Sequence, residues 1–81
     1  MDEVKDIKFE IVRKIGVISD GGRGWRKELN IVSWNEREPK FDLREWSEDH
    51  LRMGKGVTFG PEEAQKLVDC LSAYLKKGLR D

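Results

Sequence analysis

Phe9-Glu10-Ile11-Val12-Arg13-Lys14-Ile15-Gly16-Val17-Ile18-Ser19-Asp20-Gly21-Gly22-Arg23-Gly24-Trp25 is the stretch whose reading decides the fold. From Phe9 to Asp20 the β-branched and aromatic content is high. Odd positions Phe9, Ile11, Ile15 and Val17 are mostly apolar with Glu10 and Lys14 between them, which predicts a long strand. Asp20-Gly21-Gly22-Arg23-Gly24 then supplies three glycines able to take positive φ, as a hairpin loop requires, so the chain turns back. Trp25 to Trp34 reads as the second strand. Its apolar parity changes, with Leu29 and Ile31 odd but Val32 and Trp34 even, which predicts a bulge or strong curvature near Asn30.

Working outward, Asn35-Glu36-Arg37-Glu38-Pro39 is a turn, because Asn starts turns readily and Pro cannot donate to a central ladder. Phe41 to Trp46 follows as a third strand, with Phe41 and Leu43 on one face and Asp42, Arg44 and Trp46 on the other, a face expected to be wet and chemically mixed. Ser47 to Gly54 is a polar loop, and Lys55 to Phe59 a short fourth strand. Gly60-Pro61-Glu62-Glu63 starts a helix: Gly serves as N-cap, Pro suits the first helical position, and two acids favour the positive end of the dipole. Lys76-Lys77-Gly78 ends it. Ala64, Leu67, Val68, Leu71, Tyr74 and Leu75 recur every three or four residues as one apolar stripe, expected to bury against the sheet. The fold class is therefore α+β, a four-stranded antiparallel sheet followed by one C-terminal helix. A short tail is expected over residues 1–8 and a single domain over 9–81.

Eighty-one residues bury only about 60% of the surface their unfolded chain exposes, so a partner chain is expected to help. No apolar run exceeds three residues, far short of the roughly 20 that span a bilayer, so no membrane association is expected. The opening Met1-Asp2-Glu3-Val4-Lys5-Asp6 has acids where a signal peptide needs a basic and then an apolar run, and a cytoplasmic, if bacterial nucleoid-associated, protein is expected. Lys plus Arg equal Asp plus Glu at 16 each, so no global field draws the chain to a polyanion and any such site must be local.

An enzyme needs a nucleophile, a base and a pocket, and the inventory offers one His, one Cys and scattered hydroxyls. His50, among Glu48, Asp49 and Arg52, reads as a solvated surface residue, and Cys70, beside the helix stripe, as a partly buried, inert thiol. With one Cys and one His there is no metal-ligand cluster. Gly21-Gly22-Arg23-Gly24 joins two strands and opens no helix, so it is not a phosphate loop. No catalysis, cofactor or metal is expected. The tryptophans offer more, since Trp25, Trp34 and Trp46 lie on or beside Arg26, Lys27, Lys40 and Arg44. Unpaired bases stack on such rings for about 1–3 kcal/mol each while Lys and Arg neutralise phosphates. The pattern equally admits three Trp packed in a core or dimer interface, with Arg44 paired to Asp42 or Glu45.

Trp25-Arg26-Lys27-Glu28-Leu29, Val32-Ser33-Trp34-Asn35, Pro39-Lys40-Phe41-Asp42-Leu43-Arg44-Glu45-Trp46 and Met53-Gly54-Lys55-Gly56-Val57-Thr58-Phe59 resemble the positive-cofactor-four transcriptional coactivator family, most closely its bacterial, YdbC-like branch. The likeness covers roughly residues 9 to 77. It implies a symmetric homodimer whose paired sheets bind single-stranded DNA with little dependence on sequence. It also implies nucleic-acid contacts at Trp25, Arg26, Lys27, Arg44, Trp46 and Lys55, to which Trp34 and Lys40 are added on local chemistry. The eukaryotic branch of that family places two aromatics after the Arg-Glu pair, whereas here Trp46 precedes Ser47, which leaves open which Trp stacks on bases.

The reading is a homodimer that binds single-stranded DNA in transcription, replication or repair, with the transcription machinery as a partner. Arg26, Lys27, Lys40, Arg44 and Lys55 track phosphates, and Trp25, Trp34 and Trp46 are platforms or groove walls. Two alternatives stay open: single-stranded RNA as ligand, and a dimeric protein-interaction adaptor whose exposed Trp residues are partner hot spots.

Overall fold

The computed structural model describes residues 8–78. Of the tail expected over residues 1–8, only Lys8 is among them. The strands are β1 (Phe9–Asp20), β2 (Trp25–Trp34), β3 (Lys40–Ser47) and β4 (Met53–Phe59), followed by helix α1 (Pro61–Gly78). They form one antiparallel meander in the order β1-β2-β3-β4. The architecture is thus the expected α+β sheet and C-terminal helix.

Turn chemistry follows the sequence. Gly22 and Gly24 both adopt φ 80°, and the Gly22 amide donates to Asp20 Oδ1 at 2.9 Å, closing the β1–β2 hairpin. Between β2 and β3, Asn35 and Glu36 take φ 51° and 63°, and the Arg37 amide donates to the Trp34 carbonyl at 2.9 Å. Two left-handed central residues form the mirrored turn whose twist matches antiparallel strands. At α1, the Gly60 amide donates to Glu63 Oε1 at 3.1 Å and the Ala64 amide to the Gly60 carbonyl at 2.9 Å, so Gly60 is the N-cap.

The irregularity expected in β2 near Asn30 lies on β1 instead. β2 pairs with β3 without interruption from Trp25↔Ser47 to Val32↔Lys40, while β1 slips against β2 between Ile11 and Arg13, Lys14 and Gly16, and Val17 and Ser19. Each slip leaves one extra residue, Val12, Ile15 or Ile18, and each extra residue is an exposed β-branched side chain. The slips break the expected alternation of β1, so Phe9 and Ile11 lie opposite Trp34 and Val32, whereas Ile15 and Ile18 line the side facing the helix. The parity change in β2 needs no bulge: Leu29 and Ile31 lie on one face, opposite Leu43 and Phe41, and Val32 and Trp34 lie on the other.

Burial reverses two expectations. The face of Asp42 and Arg44 is not wet; it is the best-buried part of the chain, with Val32, Trp46 and Asp42 all at 0% exposure and Glu28 and Asn30 nearly so. Phe9, Trp34 and the loop after β3 close over it, since Phe9 packs on both Trp34 and Trp46, and His50 packs on Trp46. The helix stripe, by contrast, does not bury within one chain. Leu67, Val68, Leu71, Tyr74 and Leu75 stay 43–68% exposed, and an apolar cavity of about 520 Å³ separates α1 from Leu29, Phe41, Leu43 and Phe59.

Gly56 shows how closely β3 and β4 approach. A Cβ there would overlap Arg44 Cβ and the Leu43 carbonyl oxygen. Gly56→Ala is therefore expected to destabilise the chain by about 1–3 kcal/mol, by forcing the strands apart. A urea unfolding midpoint unchanged from wild type would refute that account.

Candidate nucleic-acid interface

β2 and β3 place their even-numbered residues on one face, pairing Arg26 with Trp46, Glu28 with Arg44, Asn30 with Asp42 and Val32 with Lys40. Three of these residues, Glu28, Asn30 and Asp42, are buried polar groups that need internal partners. Asp42 takes Arg44, whose Nε donates to its two carboxylate oxygens at 2.8 and 3.0 Å. Arg44 Nη1 donates to the Gly54 carbonyl at 3.2 Å and lies 3.8 Å from Met53 Sδ. The Arg44 guanidinium carbon stands 4.7 Å from the centre of the Trp34 ring, within cation–π range.

This cluster walls a groove of about 440 Å³ that also takes in Arg37, Lys40, Met53 and Thr58. Three cationic side chains face one carboxylate, Glu38, beside an indole, a combination able to hold a phosphate next to a flat apolar group. A second cluster lies at the other end of β2. There the Arg52 guanidinium carbon is 5.6 Å from the Trp25 ring centre, in a cleft shared with Arg23, Ser47, Glu48 and Asp49. Trp25 and Trp34 are nine residues apart on one strand, roughly 30 Å at strand rise, so they are separate contact points.

The loop carrying Arg52 is fastened to the sheet. Ser47 and Arg52 exchange hydrogen bonds, with the Ser47 amide donating to the Arg52 carbonyl at 2.9 Å and the Arg52 amide to Ser47 Oγ at 3.0 Å. Asp49 accepts from the Leu51 amide and the Ser47 hydroxyl, which hold its carboxyl below the usual range. His50 reaches back to Glu28, its Nε2 at 3.0 and 3.1 Å from the two carboxylate oxygens. Burial pushes the Glu28 carboxyl up, but hydrogen bonds from His50 and Asn30 and the charges of His50 and Arg26 outweigh it, so it sits below its ordinary value.

These positions sort the expected contacts. Trp34, Lys40 and Arg44 come together in the large groove, and Trp25 joins Arg52 in the second. Arg26 leans 3.6 Å from Glu28 and lines a small cleft with Asp20, Gly24 and Glu48. Lys27 is exposed on the opposite face, across from Glu45, and Lys55 is exposed on β4 outside both clusters. Trp46 is not an accessible platform: it is fully buried between Phe9 and His50, at ring distances of 5.1 and 5.5 Å. His50 is a half-buried partner of Glu28 rather than a solvated residue, and Cys70 is exposed rather than partly buried. Arg37, Met53, Arg23 and Arg52 were not singled out by sequence reasoning. Arg37 sits in a turn and the others in loops or at a strand start, where no periodicity assigns a face.

The family model described as Transcriptional Coactivator p15 (PC4) matches residues 22–70, the span that holds both clusters and the whole of β2, β3 and β4. The chain belongs to the PC4 family. It is also 44% identical over 68 residues to an uncharacterised protein of Treponema pallidum (strain Nichols), covering 84% of this chain and 80% of that one. The PC4 family consists of nucleic-acid-binding proteins without enzymatic activity.

Two expectations follow for this PC4-family chain. Trp46→Ala removes a fully buried indole and should cost about 3–5 kcal/mol in chemical denaturation; a change no larger than that of an exposed Lys66→Ala control would mean the ring is not core. Glu28 has a folded pKa below its unfolded value. Its contribution is therefore complete above the usual carboxylate range and lost as pH falls through that range toward the folded value. Glu28→Gln should lower the urea midpoint at pH 7, and the gap to wild type should narrow on acidification; a gap constant with pH would contradict the assignment.

Proposed function

We propose that this protein binds single-stranded DNA with little sequence preference, as a homodimer, at transiently opened DNA in transcription, replication or repair, where the transcription machinery is its partner. The observation that carries the reading is the groove in which Trp34 and Arg44 stand beside Lys40 and Arg37, in a chain of the PC4 family. Aromatic and cationic groups in one groove suit a strand whose bases are unpaired, because a duplex hides the base faces. Trp25 with Arg52 and Arg23 forms a second aromatic and cationic cleft at the far end of β2. Lys27 and Lys55 lie outside both clusters and contribute at most long-range attraction.

The homodimer has separate support. One chain leaves Ile15, Ile18, Val57, Leu67, Val68, Leu71 and Leu75 each 43–57% exposed, around a cavity bounded by sheet and helix. Covering the exposed half of each such side chain is worth about 1 kcal/mol, which a second copy of the same face supplies symmetrically.

Titrating the intrinsic Trp fluorescence with oligo-dT, oligo-rU and a duplex of equal length tests the binding. Strong quenching by oligo-dT alone is expected. Equal quenching by oligo-rU would widen the ligand to RNA, and equal weak signals from single strand and duplex would sink the reading. Sedimentation tests the assembly: a dimer at micromolar concentration is expected, with Leu71→Ala shifting it toward monomer and Lys76→Ala leaving it unchanged. A wild-type monomer that still binds oligo-dT would remove the dimer from the proposal.

A further inference from the structure

Asp42 is the most deeply buried carboxyl group of the described chain, and it lines none of the grooves described above. A carboxylate in such a place is costly unless its oxygens are used. Both are used on one atom, Arg44 Nε, at 2.8 and 3.0 Å. The Gly54 carbonyl then takes Nη1 at 3.2 Å, and the guanidinium carbon rests 4.7 Å from the Trp34 ring centre. Anchors on three sides leave the head group a single orientation.

We infer that Asp42 is the positioning residue of the nucleic-acid interface: it holds the Arg44 guanidinium against Trp34, so that Arg44 meets a nucleobase as a fixed planar plate and not as a phosphate-tracking charge. The inference rests on the single-strand reading above and deepens it. A guanidinium already paired with a buried carboxylate has little charge left for displacing counterions from a polyanion. Its plane remains useful, because guanidinium faces stack on bases as aromatic rings do. Trp34 cannot be the bare platform, since Arg44 lies over its ring and Phe9 packs on it at 5.9 Å. Lys40 and Arg37 line the same groove and make no ion pair among the described residues, so they are the phosphate contacts.

The test measures oligo-dT affinity over a range of salt concentrations for the full-length protein and its variants. Arg44→Lys keeps the charge but loses the plane, and should bind about fivefold or more weakly, the lower end of one stacking contact. Arg44→Gln should weaken binding without flattening the salt slope, whereas Lys40→Ala should flatten it by about 0.7. Asp42→Asn should weaken binding like Arg44→Lys, and the double variant should bind no more weakly than Arg44→Lys alone. Wild-type affinity in Arg44→Lys, or a slope reduced by about 0.7 in Arg44→Gln, overturns the inference. So does an Asp42→Asn protein that melts lower yet binds as wild type, since that is a structural role only.

Should Asp42→Asn fail to fold, the Arg44 variants decide, together with the Arg44 Nε–H resonance in the wild type. That proton should exchange slowly with water both free and bound; rapid exchange in either state overturns the inference. A wild-type protein that binds no oligo-dT instead removes the functional reading and this inference with it, a result distinct from wild-type binding that the variants leave intact.

Discussion

A four-stranded meander has two faces and the described residues hold one helix to cover them, and that shortage governs the rest of the structure. The face away from the helix must close on itself. It does so with few residues: Phe9 packs on both Trp34 and Trp46, Val32 is fully buried on the same face, and the Ser47–Arg52 loop folds onto Trp46 through His50. Once that face is closed, the polar residues of β2 and β3 beneath it lose water. The network that follows is a consequence: Glu28 with His50, Asn30 and Arg26, and Asp42 with Arg44. Breaking one member would leave its partner buried and unpaired, a larger loss than the pair's own net worth.

The helix side is settled differently, by being left open. α1 is well capped and its stripe is amphipathic, yet it stands off the sheet across an apolar cavity. The three register slips of β1 contribute, because they turn Ile15 and Ile18 toward that same side and enlarge the apolar surface left exposed among the described residues. An isolated chain of this size with so little closed core would be marginal.

How far this was legible in the sequence depends on the range of the signal. The β1 and β2 strands, the Gly-rich hairpin and the helix start were readable to the residue, because turn residues, alternation and capping act within a few positions. Two things were not. Alternation shows that Asp42, Arg44 and Trp46 share a face, but not whether that face is wet, since polar residues mark a solvent side only when nothing closes over them. Phe9, 37 residues from Trp46 in sequence, is what closes over it. The second unreadable feature was partnership. The spacing of Asp42 and Arg44 admitted their pairing, but the Trp25–Arg52 and Glu28–His50 contacts arise only when the loop after β3 folds back, and no local period reports that. The PC4-family resemblance reached Arg44 and Trp25 of the two clusters, whereas Trp34 and Lys40 came from local chemistry, and it could not say that Trp46 is walled in.

The two faces are also mechanically joined. Leu29 and Leu43 point toward the helix, while their chain neighbours Glu28, Asn30, Asp42 and Arg44 point the other way, so the same residues of backbone serve both sides. Any change in twist of β2 against β3 on the apolar side must move Trp34, on β2, relative to Arg44, on β3, and so shift the ring against the guanidinium that walls the groove. Gly56 tightens this link, because its missing side chain lets β4 lie directly against Arg44 Cβ, and β4 carries both Val57 and Phe59 of the apolar face. Covering that face would therefore stiffen the groove behind it without touching it. A nucleic-acid surface built on the buried, polar side of so thin a sheet depends for its rigidity on whatever covers the other side.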